Sequence, residues 1–240
     1  MKKTQKLTTK EQILLMVMTA LFCALAYAAT LLFRINVAGF LTFDIKDAVI
    51  TIGGLLFGPW AAFTISGLTA LLESVTVGDT GPYGLLMDFV SSASFSVVAA
   101  LIYRYRRNLY GAVIGLLSAV FSMTAIMLCM NLLVVPLYTP GVDTATVAKM
   151  LPTLILPFNL TKAVMNAALV LILYKPVSTA IRYARVKLPG KSGMDGTPHK
   201  TDLRTNVLLA VAGLLLIVAS LILFFVLLGG EIDWFVKPGT

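Results

Sequence analysis

The chain has 240 residues, of which 58% are hydrophobic and 12% charged. Ordinary soluble domains are about 45–50% apolar and about 25% charged, so this chain has too little polar surface to cover a core in water. That excludes a soluble domain and leaves a polytopic membrane protein. The net charge of +8 does not indicate nucleic-acid binding, because the basic residues fall in loops beside apolar stretches without a base-contacting motif.

In chain order, Lys2, Lys3, Lys6 and Lys10 precede a first apolar helix, Glu11–Phe33. The stretch resembles a signal peptide ending in Ala24-Leu25-Ala26, but it runs longer than a signal h-region and reads as a span. Ala20, Ala24 and Ala28 recur every four residues. Such a small-residue face admits a close helix neighbour, either within the chain or on a separate membrane protein. The loop Arg34–Lys46 carries Phe40, Leu41 and Phe43. It is too apolar to float in water and is expected to fold back as a cap; the alternative is an interfacial aromatic anchor. Asp44 and Asp47 are placed to cap the next helix at its positive end.

That helix, Asp47–Phe57, is followed after Gly58 by Pro59–Val75. Tyr83–Tyr103 comes next, with Asp88 opening a polar run of Ser91, Ser92, Ser94 and Ser96. Tyr110–Leu137 carries Asn131 among Met, Leu and Val, five residues before Pro136. Pro152–Tyr174 and Thr205–Leu228 complete seven helices, the last two separated by a Pro/Gly/Lys-rich stretch, 188–200. Cys23 and Cys129 lie inside apolar runs and read as small buried side chains rather than a disulfide. His199 stands alone in the polar linker, so no metal site is expected around it.

Seven spans place fourteen basic residues on one side, including Arg104, Arg106 and Arg107, and only Arg34, Lys46, Lys149 and Lys237 on the other. Merging 47–75 into one span would put the arginine cluster on the wrong side of the positive-inside rule. The expected orientation is therefore a cytoplasmic N-terminus and an external C-terminus.

Lys162 stands within a span, where a cation costs about 2.5–3.5 kcal/mol on insertion scales. It needs a partner or a task. Pro157 removes a backbone donor, freeing the Thr153 carbonyl and inviting a kink. Asn159, Lys162 and Asn166 share one helix face. Two readings stand: a structural pair with Asp88 among helices joined by Asn and Ser hydrogen bonds, or a polar-lined ligand site that includes Asn131. No Gly-x-x-x-x-Gly-Lys-Ser/Thr, Gly-x-Ser-x-Gly, His-Glu-x-x-His or Cys-x-x-Cys occurs, so no enzyme chemistry is expected.

Five segments occur in a telling order: Leu41-Thr42-Phe43-Asp44-Ile45-Lys46-Asp47, Phe57-Gly58-Pro59, Met87-Asp88-Phe89, Asn131 with Pro136-Leu137-Tyr138, and Ile155-Leu156-Pro157-Phe158-Asn159-Leu160-Thr161-Lys162. In these, roughly over residues 10–175, the chain resembles the riboflavin-specific substrate-binding (S) subunits of energy-coupling factor (ECF) vitamin transporters, the RibU family. The resemblance implies an all-α membrane bundle with a six-helix core, here over 1–175; beyond it the sequence adds a basic cytoplasmic linker over 176–204 and an additional transmembrane helix with a short external tail over 205–240. It implies riboflavin, with FMN as a further candidate, bound near the outer face under the first external loop. It implies a transmembrane coupling protein and two ABC-type ATPases as partners, the coupling protein meeting Ala20, Ala24 and Ala28, and no cofactor of the chain's own. Carried over by residue, the flavin's polar contacts fall on Asn131, Asn159 and Lys162. Leu41 and Phe43 would close the lid, and Thr42 and Asp88 would reach the ribityl hydroxyls or hold Lys162. Asn offers both donor and acceptor to the flavin's pyrimidine edge, and Lys offers donors.

The chain departs from the family in its seventh helix, which is either a surface helix or an obstacle to the coupling protein. It also has Ala48 where close relatives carry Pro, and Ser66 and Thr69 where some carry ionisable groups. The competing readings are an S subunit for another vitamin, a non-transport membrane protein, and a secondary transporter using Asp88 and Glu73.

Overall fold

The computed structural model describes residues 8–37, 41–78, 80–183 and 203–227. Within them the helices are α1 (Thr9–Leu32), α2 (Lys46–Phe57), α3 (Pro59–Thr76), α4 (Gly81–Tyr105), α5 (Leu109–Tyr138), α6 (Thr144–Met150), α7 (Leu156–Tyr183) and α8 (Leu203–Leu227). A π-helical turn, Leu151–Ile155, joins α6 to α7. The expected helices are present, and two elements are new. The loop after α1 is an antiparallel hairpin, β1 (Ile35–Val37) paired with β2 (Leu41–Phe43), with Asn36 opposite Thr42. The stretch after α5 contains α6, which begins at an N-cap: Asp143 accepts a hydrogen bond from the Thr146 amide at 2.9 Å.

Local chemistry accounts for the boundaries. Thr8 and Glu11 form a reciprocal capping box at the start of α1. Gly58, at φ 104°, turns the chain between α2 and α3, and Pro59 opens α3 where a missing N–H costs nothing. The kink invited by Pro157 is met just ahead of it by the π-helical turn Leu151–Ile155, inserted in a helical stretch that runs without interruption from Thr144 into α7.

Among the described residues, four stretches are long and apolar enough to cross a membrane: Thr9–Leu32, Gly81–Tyr105, Leu109–Tyr138 and Thr144–Val177. α2 lies inside the bundle, packed against α1, α3, α4 and α7, which is how so short a helix is stabilised. Its Gly54 permits the close approach, since a Cβ there would lie 2.8 Å from Ala62 Cβ and 3.1 Å from Ala100 Cβ. α4 and α5 meet closely at Gly115, where a Cβ would lie 2.9 Å from the Ala99 carbonyl oxygen. Large apolar side chains such as Leu117, Phe121 and Leu133 point outward, as expected where the solvent is lipid.

Three expectations are corrected. Cys23 is buried, but Cys129 is exposed on the outer face of α5. Asp44 and Asp47 do not cap α2, whose N-cap is Ile45 without a side-chain cap bond; both carboxylates are drawn to side chains of other helices instead. Residues 176–183 of the expected linker continue α7. The rest of that linker, with His199, and the tail after 227 lie outside the described residues.

Candidate functional site

The site is built where α2, α3, α4 and α7 converge beneath the hairpin. Lys162 is buried on α7, and its Nζ lies 2.8 Å from Asp44 Oδ2 and 3.2 Å from the Thr42 carbonyl oxygen. Its acid is thus Asp44, not the expected Asp88. Asn166, one turn along α7, explains the choice. Its Nδ2 donates to the Asp44 carbonyl at 3.1 Å and its Oδ1 accepts from the Ala48 amide at 2.9 Å. This fixes the start of α2 against α7 and brings Asp44 to Lys162.

Asp88 has a different partner. Lys46, counted above with the external loop, is 1% exposed. Its Nζ lies 2.5 Å from Asp88 Oδ1, 2.6 Å from Glu73 Oε2 and 3.9 Å from Asp44 Oδ2. Glu73 also accepts from Thr30 Oγ1 at 2.8 Å. Asp47 accepts from Ser92 Oγ at 2.5 Å. Two lysines and three carboxylates, Asp44, Glu73 and Asp88, therefore form one polar core linking α1, α2, α3, α4 and α7, with Asp47 buried beside it on Ser92. Buried charges persist only when paired and hydrogen-bonded in this way.

Beside this core lies a cavity of about 110 Å³. Leu41 and Thr42 of the hairpin, Glu73 of α3, Met87, Asp88 and Ser91 of α4, Met127 and Tyr138 of α5, and Phe158, Asn159 and Lys162 of α7 contribute to its wall. Small-molecule pockets usually run to roughly 300–1,000 Å³. A ligand of tricyclic size therefore requires the hairpin or its side chains to give way.

Leu41, Thr42, Asp88, Asn159 and Lys162, expected at a site, are brought together on this wall. Phe43 is buried behind it, edge-on to Phe158 with ring centroids 6.2 Å apart. Asn131 is buried on α5, one turn beyond Met127, and is not on the wall. Its Nδ2 donates to the Met127 carbonyl at 2.8 Å, while its Oδ1 has no hydrogen-bond partner among the described residues. Asn159 Nδ2 likewise bonds its own helix, to the Ile155 carbonyl at 2.8 Å. Ala20, Ala24 and Ala28 form an exposed strip on α1, opposite its buried Phe22, Cys23 and Ala26. α8 packs on α7, while α1 packs on α2 and α3.

Sequence reasoning missed Lys46 and Glu73 as partners. A signal existed: Glu73 and Asp88 stand inside apolar helices and each requires a nearby cation.

Residues 14–174 match the family model of the ECF transporter substrate-specific component. The chain belongs to this family. It is 27% identical over 149 residues to the riboflavin transporter RibU of Staphylococcus aureus (strain TCH60), a match covering 60% of this chain and 78% of that protein. A solved S component of a bacterial ECF transporter shares the fold, with a TM-score of 0.61 and 24% identity over 71% of this chain and 99% of that one. As an S component, the chain is a membrane protein with a substrate-binding role in transport.

Proposed function

We propose that the chain binds riboflavin from the external side and delivers it inward as the specificity subunit of an ATP-driven ECF importer. The observation that carries this reading is the cavity walled by Asn159 and Lys162 under an apolar hairpin, in an S component whose curated relative is a riboflavin transporter. Riboflavin is neutral, flat and amphipathic. Its ring would bury against Leu41, Met87, Met127 and Phe158, and its pyrimidine edge would meet Asn159 and Lys162. A ring reaching past Met127 would offer its N–H to the unpartnered Oδ1 of Asn131. The ribityl hydroxyls would face Thr42, Asp88 and Ser91.

Each carboxylate on the wall already has a lysine beside it. Asp44 is paired with Lys162, and Glu73 and Asp88 with Lys46. ATP hydrolysis belongs to two partner ATPases, and the exposed alanine strip of α1 is the surface offered to the coupling protein. The basic clusters 104–107 and 175–204 would face the cytoplasm with the N-terminus, and the hairpin would face outward.

Protein purified from a flavin-containing host is expected to be yellow, with riboflavin identified by mass spectrometry of the released ligand. Asn159→Ala and Lys162→Ala should each weaken riboflavin binding at least tenfold, read by quenching of flavin fluorescence. Tight binding retained in both variants would remove the proposed site.

A further inference from the structure

α8 lies beyond the family match, and its described side chains contribute nothing to the cavity wall. It is nonetheless fitted to α7 at the level of the site. Gly213, Ile217 and Ser220 recur at intervals of four and three, so they share one helix face. At Gly213 the backbones approach closely: a Cβ would lie 2.6 Å from Ile172 Cγ1 and 3.2 Å from the Ala168 carbonyl oxygen. Ile217 packs against the cluster of Leu41, Phe43, Phe158 and Met165, which joins the hairpin to α7. Ser220 is 4% exposed, and its Oγ donates to the Thr161 carbonyl at 2.9 Å. Thr161 stands between Asn159 and Lys162 in the chain.

The Ser220 bond is informative because a cheaper one was open to it. A helical hydroxyl in lipid satisfies itself on the carbonyl four residues back, as Ser66 does on Ala62, Thr64 on Trp60 and Thr76 on Leu72. Ser220 instead reaches across to the turn of α7 that carries the site.

We propose that α8 is a brace that holds this turn of α7 against the hairpin and so governs how readily the cavity opens, with Ile217 and Ser220 as its positioning residues. The proposal rests on the reading of the cavity as the ligand site. Because the cavity is smaller than a tricyclic ligand, entry and exit both require Leu41 and Phe43 of the hairpin to part from Phe158 and Met165 of α7. With the wall side chains moved aside and the hairpin closed again over the ligand, a brace that favours the closed hairpin slows both and leaves the affinity nearly unchanged, since it acts on the free and the loaded protein alike.

The test uses the full chain in lipid nanodiscs, as wild type, Ser220→Ala, Ser220→Thr and Ile217→Ala. Hydrogen exchange of the strand amides 35–37 and 41–43 is followed without ligand, and riboflavin association and dissociation are followed by fluorescence. Loss of one hydrogen bond corresponds to about a two- to tenfold change. Ser220→Ala and Ile217→Ala are expected to speed strand exchange, association and dissociation by that factor at nearly constant Kd, with Ser220→Thr restoring wild-type rates. Unchanged strand exchange in both Ser220→Ala and Ile217→Ala overturns the brace. Faster exchange in protein that binds no riboflavin upholds the brace and removes the flavin reading instead.

Discussion

Lys46 offers the sharpest test of how the bundle is held together. Its ammonium is within 2.6 Å of Glu73 and 2.5 Å of Asp88, with almost no exposure to solvent. Lys46→Met keeps most of the side-chain volume and deletes the charge, leaving the two carboxylates facing each other without a cation. Removing one partner of a buried pair costs about 3–5 kcal/mol, mostly as the penalty on the charge left behind. For a chain of this length 1 kcal/mol corresponds to about 2–4 °C in Tm, so melting of the purified protein should fall by roughly 6–20 °C. The triple variant Lys46→Met, Glu73→Gln, Asp88→Asn removes the stranded charges and should recover most of the loss, because a neutral buried set costs far less than an unpaired anion. A single variant that melts within a degree of wild type, or a triple variant less stable than the single one, would refute the assignment of Lys46 as the central counter-ion.

Other outcomes follow from particular contacts. Asn166→Ala removes the acceptor of the Ala48 amide and a donor to the Asp44 carbonyl; it should lower stability by about 1–3 kcal/mol, measured by thermal melting. Gly115→Val would force α4 and α5 apart against the Ala99 carbonyl. A cost of about 1–3 kcal/mol is expected from overpacking, visible as a lower Tm. Ala24→Trp places a large side chain on the exposed strip of α1; under the proposed function it should abolish co-purification with a coupling protein while leaving riboflavin binding within twofold of wild type.

The membrane helices were legible because lipid imposes a simple rule: each backbone polar group is satisfied within its own helix, so apolar length alone marks a span. Thr9–Leu32, Gly81–Tyr105 and Leu109–Tyr138 obey it, and their sequence-derived limits lie within two residues of the observed ones. The hairpin did not declare itself, since strands of three residues give no alternation to read. α6 did carry a start signal in Asp143 followed by Thr146, obscured by the Pro140-Gly141 turn before it.

The charged core was half legible, and for a physical reason. That a buried lysine needs an acid follows from its solvation cost alone, but which acid it takes depends on how the helices are arranged. Asp44, Asp47, Glu73 and Asp88 were all open to Lys162, and sequence spacing does not rank partners on different helices. The choice is made by Asn166, which bonds to both sides of the Ile45 turn at the start of α2 and so places Asp44 over α7. Asp88, on α4, is then left to Lys46 together with Glu73 from α3. Lys46 was misplaced because charge counting treats any lysine next to an apolar stretch as a loop cation. Two acids standing inside helices were the stronger constraint, for in a medium of low dielectric each had to find a cation nearby.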